Sequence, residues 1–157
     1  MAARTRALEA VKDTPHEVLE YTSAQDHFGE HAAQELGTDP HATLKTLVIA
    51  NSANEREMAL CCVPVAGHLS LKAAAKTLGW KHAALADPAK AQRTTGYIVG
   101  GISPLGTLTR LPLLIDASVN VLPQITVSAG QRGLSIAIAP DDLARLGGGH
   151  FADISSA

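Results

Sequence analysis

Thr46-Leu47-Val48-Ile49-Ala50 and Met58-Ala59-Leu60-Cys61-Cys62-Val63-Pro64-Val65 are the stretches that decide the fold. Both are short, apolar runs, as expected of strands buried in a core. Asn54-Glu55-Arg56-Glu57 stands between them, so the connection reads as a hairpin. Outward from this pair, His16 to Tyr21 alternates apolar and polar side chains and reads as a half-buried strand. Tyr97 to Val99, Leu113 to Ile115, Ile125 to Val127 and Leu134 to Ala139 read as further strands. Gly130 and Gly133 mark the turn before the last of these, and Gly147-Gly148-Gly149 leads to a terminal strand. Helices are expected at Arg4 to Lys12, Gly29 to Leu36, Leu71 to Leu78 and Asp141 to Leu146, and one opens at Asp87-Pro88. Ser70 opens the third of these, and Gly37, Gly79 and Gly96 stand where helices close. Asp39-Pro40 starts a further short turn. Strands outnumber helices and do not alternate with them one for one. The fold class is therefore mixed α/β, a sheet or barrel with flanking helices rather than a doubly wound nucleotide fold.

The chain has 157 residues, 46% of them apolar and 18% charged, and is expected to form a single globular domain. Aromatics are only 3%, so the core is built from Ala, Val, Leu and Ile. The formal net charge is −2, without the basic excess of a duplex-binding protein. A nucleic-acid partner would be touched over a small area, such as a single-stranded end. Cys61 and Cys62 are neighbours in a strand and point to opposite faces, which rules out a bond between them and favours core filling. Met1 to Arg6 is polar and no apolar signal region follows, so a cytoplasmic location is expected.

The segment with the most chemistry in it is Gly96-Tyr97-Ile98-Val99-Gly100-Gly101-Ile102-Ser103-Pro104-Leu105-Gly106. A strand ending in Gly100-Gly101 can offer backbone N–H groups to a ligand oxygen, and it can equally be a tight turn. It is neither a Walker loop nor the dinucleotide fingerprint. Lys45 stands directly before Thr46 to Ala50, where its ammonium either reaches into a cleft or stays in solvent. Arg93 closes the helix opened by Asp87, either complementing its dipole or contacting a phosphate. His27 and His31 are four apart, but no third metal ligand stands near them. No Gly-x-Ser-x-Gly elbow occurs, and neither cysteine adjoins a histidine, so a protein nucleophile cannot be argued.

Several stretches together resemble one family. They are Tyr21 through His27-Phe28-Gly29, Leu44-Lys45-Thr46-Leu47, Val63-Pro64-Val65-Ala66-Gly67 with Leu71-Lys72, and Ala86-Asp87-Pro88 through Gln92-Arg93-Thr94-Thr95-Gly96-Tyr97 to Gly106. Arg110-Leu111-Pro112 and Val127 to Leu134 continue the match. The chain resembles the YbaK family of Cys-tRNA(Pro) deacylases, relatives of the editing domain inserted in bacterial prolyl-tRNA synthetases. The resemblance implies a barrel-like sheet of mixed parallel and antiparallel strands. It also implies an enzyme that strips mischarged cysteine from tRNA(Pro), with the substrate's own thiol as nucleophile and a thiolactone as product. Lys45 and Gly101 carry the chemistry on this reading, Lys45 by anchoring the 3′ nucleotide or the ester and Gly101 through backbone N–H groups. Tyr21, Phe28, Gly100, Ser103, Pro104, Arg93 and Ser135 would contact the substrate. No metal or cofactor is implied. The partners are the aminoacylated 3′ end of tRNA(Pro) and prolyl-tRNA synthetase, with no DNA and no membrane.

One departure bears on the substrate. Family members read Gly-Leu-Asp where this chain has Gly133-Leu134-Ser135, replacing a carboxylate with a hydroxyl that both donates and accepts. That leaves two alternatives beside the cysteine reading. One is a deacylase for alanine or serine, which would need an activated water. The other is a non-catalytic module that binds tRNA or the synthetase.

Overall fold

The structure is a computed structural model that describes residues 4–21, 34 and 36–156. Its helices begin where the sequence supplies a cap. The Thr5 hydroxyl accepts from the Leu8 amide at 3.1 Å and opens α1 (Arg6–Val11). Ser70 does the same for Ala73 and opens α2 (Leu71–Leu78), which ends at Gly79. Asp87 accepts from Lys90, with proline at the first turn, and opens α3 (Pro88–Thr95), which ends at Gly96. The last helix, α4 (Pro140–Gly147), has no side-chain cap but carries Asp141 and Asp142 in its first turn, where the helix dipole favours them. Most of the helix expected over 29–36 lies outside the described residues. No helix among them is long and apolar enough to cross a membrane.

The strands are β1 (Glu17–Glu20), β2 (Leu44–Asn51), β3 (Asn54–Pro64), β4 (His68–Leu69), β5 (Ala83–Leu85), β6 (Leu113–Asp116), β7 (Ile125–Gln131), β8 (Leu134–Ile138), β9 (Gly149–Ala152) and β10 (Ser155–Ser156). Five form a mixed sheet in the order β5-β2-β3-β6-β9. The β2–β3 and β2–β5 pairs are antiparallel, while β3–β6 and β6–β9 are parallel. Three more form an antiparallel sheet, β1-β8-β7, and β10 pairs with β4. The two larger sheets meet at a bridge between Thr43 and Thr126, where the Thr126 amide donates to Ala42 at 2.9 Å. The class expected from the sequence therefore holds, but the sheets stay open and do not close into a barrel.

Three local expectations are corrected. Tyr97 to Val99 is a turn rather than a strand. Gly96 ends α3 with φ at 83° and Gly100 has φ at 90°, so the backbone leaves the extended region on both sides. Asn54 to Glu57 is not the hairpin connection but the exposed start of β3, and the reversal is made at Ser52 and Ala53. Lys45 does not precede its strand. It is the second residue of β2, paired with Val63.

The strand β3 is buried on both sides and separates two cores. Leu60 and Cys62 face one that includes Leu44, Val48, Ile115, Ile125, Val127, Leu134, Ile136 and Leu143. Ala59, Cys61 and Val63 face the other, with Ile49, Leu114, Ile154 and the α2 residues Ala74 and Ala75. The adjacent cysteines therefore fill opposite cores, as strand alternation requires.

Candidate functional site

Alternation along β2, β7 and β8 decides which side chains can meet. Leu44 and Val48 of β2, Ile125 and Val127 of β7, and Leu134 and Ile136 of β8 all point into the larger core. Lys45, Thr126, Ser128 and Ser135 are the intervening residues and lie on the opposite face. A parallel bridge joins Thr43 to Thr126, and Lys45 of β2 and Ser128 of β7 each lie two residues beyond it. Ser128 is the Cα partner of Ser135, and Ser135 is the partner of Leu19 in β1. Ser128, Ser135 and Leu19 thus form a row across β7, β8 and β1, with Lys45 on the strand that bridges β7.

Lys45 is half-buried and Ser135 is buried. Tyr21 continues the alternation of β1, and its amide donates to the Gly133 carbonyl at 3.0 Å, which fixes it at the tip of the β7–β8 hairpin. The structure thus gathers Lys45, Tyr21 and Ser135 on one face and adds Ser128, which the sequence reading did not single out. The missing signal was register: nothing in the chain around Ser128 says that it pairs with Ser135. The Ser128 hydroxyl also accepts from the Gly130 amide at 3.2 Å, within a bulge. There β7 advances three residues, Ser128 to Gln131, while β8 moves one, Ser135 to Leu134. The bulge draws the hairpin tip close to the row.

The glycine-rich loop arrives at that tip. A Cβ on Gly101 would lie 3.0 Å from the Arg132 amide nitrogen and 3.1 Å from the Gln131 carbonyl carbon, so only glycine allows this approach. The Gly101 amide is not open to a ligand, because it donates to the Ile98 carbonyl at 2.9 Å and closes a four-residue turn. Among the described residues no acceptor takes the Gly100 amide, which makes Gly100 the candidate donor in this turn. The rest of the loop packs inward. Tyr97, Ile102 and Leu105 belong to the larger core, and the Tyr97 hydroxyl donates to the Leu105 carbonyl at 2.7 Å. Ser103 and Pro104 are buried behind the turn, and the Ser103 hydroxyl accepts from the Leu105 amide at 3.2 Å. Arg93 is exposed in the last turn of α3. Among the described residues no hydrogen bond joins Lys45 to Gly101. Phe28, His27 and His31 lie outside the described residues.

The chemistry open to this face is polar and cationic. Burial pushes the thiols of Cys61 and Cys62 up to about 12, which disarms both as nucleophiles. Glu17 shares the face with Ser135 through its pairing with Ala137. It stands on β1, the strand of its sheet separated from β7 by β8.

A face with a cation and the hydroxyls of Tyr21, Ser128 and Ser135 suits an ester whose developing charge must be held. The comparisons with known proteins define the class as an aminoacyl-tRNA deacylase. The chain belongs to the aminoacyl-tRNA editing domain family, whose model matches residues 24–146. It is 32% identical over 156 residues to an Enterococcus faecalis protein named as a candidate Cys-tRNA(Pro)/Cys-tRNA(Cys) deacylase, EbsC, covering 98% of this chain and 94% of that one. Two crystal structures share the fold. One is of a candidate trans-editing enzyme for prolyl tRNA synthetase, with a TM-score of 0.84 and 23% identity over 99% of this chain and 100% of that one. The other is of hypothetical protein APE2540, with a TM-score of 0.84 and 21% identity over 97% and 100%.

Proposed function

We propose that the protein removes cysteine from mischarged tRNA(Pro), using the substrate's own thiol as the nucleophile. The observation that carries this reading is the makeup of the Lys45 face. It offers a cation and hydroxyls, its carboxylate at Glu17 stands on β1, and both protein thiols are buried. Among the described residues such a face can position and stabilise an ester and offers no exposed thiol as a nucleophile. Cysteine brings one. Its sulfur attacks its ester carbonyl carbon, the bond from that carbon to the ribose oxygen breaks, and the ribose oxygen takes up the thiol proton. The products are a cysteine thiolactone and free tRNA. Lys45 would hold the negative charge that develops on the way, and the name of the Enterococcus faecalis relative supports cysteine as the amino acid.

The partner would be the aminoacylated 3′ end. A net charge of −2 fits a grip on that end better than on the body of the tRNA. Selection of tRNA(Pro) would then fall to a complex with prolyl-tRNA synthetase, a partner also suggested by the name of a structural neighbour. The test is to incubate the purified protein with Cys-tRNA(Pro), Ala-tRNA(Pro) and Ser-tRNA(Pro) and follow each amino acid. Cysteine release through a trappable thiolactone is expected. Release of alanine or serine instead would replace self-attack with an activated water, and release of none would leave a binding module.

A further inference from the structure

The turn Ile98–Gly101 has an unusual pair of restraints. Gly100, its third residue, has φ at 90°, which marks a type II turn. Types I and II differ by a flip of the central peptide, here the one formed by the Val99 carbonyl and the Gly100 amide. Glycine at the third position is compatible with either form, so the residues of the turn do not choose between them. Side chains from two other elements do. Arg132, in the β7–β8 hairpin, donates from Nε at 2.9 Å and from Nη2 at 2.7 Å to the Val99 carbonyl. Gln92 of α3 accepts from the Val99 amide at 3.1 Å through its Oε1.

We propose that Arg132, assisted by Gln92, is a positioning residue for deacylation, locking the Val99–Gly100 peptide so that the Gly100 N–H faces the reacting ester oxygen. The proposal rests on the deacylase reading above. In a trans peptide the C=O and N–H point in opposite directions, so holding the Val99 oxygen fixes the direction of the Gly100 hydrogen. A flip would break both arginine bonds and turn that N–H toward a guanidinium, which has donors only. It would also present a carbonyl where the ester oxygen needs a donor. The two charge-assisted bonds on the Val99 oxygen further polarise the same peptide and strengthen its N–H as a donor. Gly101, pressed against the Gln131–Arg132 backbone, keeps the turn within reach of the guanidinium.

The test combines kinetics with the Gly100 amide signal in 1H–15N spectra of the full chain. With Cys-tRNA(Pro), Arg132→Ala is expected to lower kcat by about 30- to 100-fold with little change in KM, as for loss of one oxyanion donor. Arg132→Lys, with a single donor on the carbonyl, should recover part of this, and Gln92→Ala should fall by less than Arg132→Ala. In Arg132→Ala the Gly100 signal should move. A non-hydrolysable 3′-cysteinylamino-3′-deoxyadenosine should shift it in the wild type only. Unchanged kcat in Arg132→Ala, or a loss confined to KM, would overturn the lock, the latter making Arg132 a phosphate contact. An unmoved Gly100 signal would overturn it as well. If the wild type cleaves no aminoacyl-tRNA, the deacylase reading fails by itself. The lock then stands or falls on the shift of the Gly100 signal in Arg132→Ala.

Discussion

The strands β7 and β8, with the end of β2 that bridges β7 at Thr43, show two faces of different makeup. One carries Leu44, Val48, Ile125, Val127, Leu134 and Ile136, all buried in the larger core. The other carries Lys45, Thr126, Ser128 and Ser135 at the positions between them. In β7 and β8 alternate residues divide between the larger core and the candidate site, whereas in β2 the face of Lys45 also carries Ile49, buried in the second core. A substitution in β7 or β8 should show up in unfolding or in turnover according to its parity along the strand. This separation is possible because side chains in a strand alternate with a period of two. It also keeps the Lys45 cation out of the larger core.

The largest expected effect is on the apolar face. Ile136→Ala leaves a cavity and should cost about 2–5 kcal/mol in denaturant unfolding. Its neighbour Ser135→Ala should cost far less, and equal losses would break the division. Next is Lys45→Ala, expected to lower Cys-tRNA(Pro) deacylation by about 100-fold, or about 2.7 kcal/mol of barrier, while moving stability by no more than about 0.5 kcal/mol. Unchanged turnover would remove Lys45 from the site. Ser128→Ala should have a smaller effect, about three- to tenfold on turnover, the scale of one neutral hydrogen bond. A loss as large in Leu44→Val as in Ser128→Ala would show that distance along the sheet matters more than face.

The smallest effect concerns pH. Burial raises Cys61 and Cys62 from 9.0 to about 12 and Tyr97 from 10.0 to about 12. All three are neutral when protonated and are held so by the fold. Their contribution to stability is therefore complete below about pH 9 and lost as pH rises toward 12, because the unfolded chain releases these protons first. The melting temperature should hold steady from pH 7 to 9 and fall above that. A fall already complete by pH 9 would contradict the burial of these groups.

Much of the fold was legible in the sequence. Ser70, Asp87 and the closing glycines mark α2 and α3 because capping is local chemistry. The two cysteines were assigned to opposite faces by parity alone. The Tyr97 to Val99 segment misled, because its apolar content suits a strand while the glycines at 96 and 100 prevent one. The start of β2 was placed too late because Lys45 looked like a boundary. In the structure it is an interior strand residue on the face turned away from the larger core. Within the candidate site, Lys45 and Gly100-Gly101 stood out by residue chemistry, Tyr21 and Ser135 by resemblance, and the structure shows which elements carry them. Ser128, Gln92 and Arg132 could not be ranked from sequence, since their positions depend on a bridge, a bulge and a turn that pair distant residues.

The strand β3 lines two cores at once, with Leu60 and Cys62 on one side and Ala59, Cys61 and Val63 on the other. It behaves like a text printed on both sides of one page. Deleting a single residue between 58 and 63 would shift every later side chain onto the wrong side and spoil both cores together. The reversal at Ser52 and Ala53, exposed to solvent, has no such frame to keep. Length variation among relatives should therefore collect at that reversal and be absent from the strand, whatever the amino acid each relative edits.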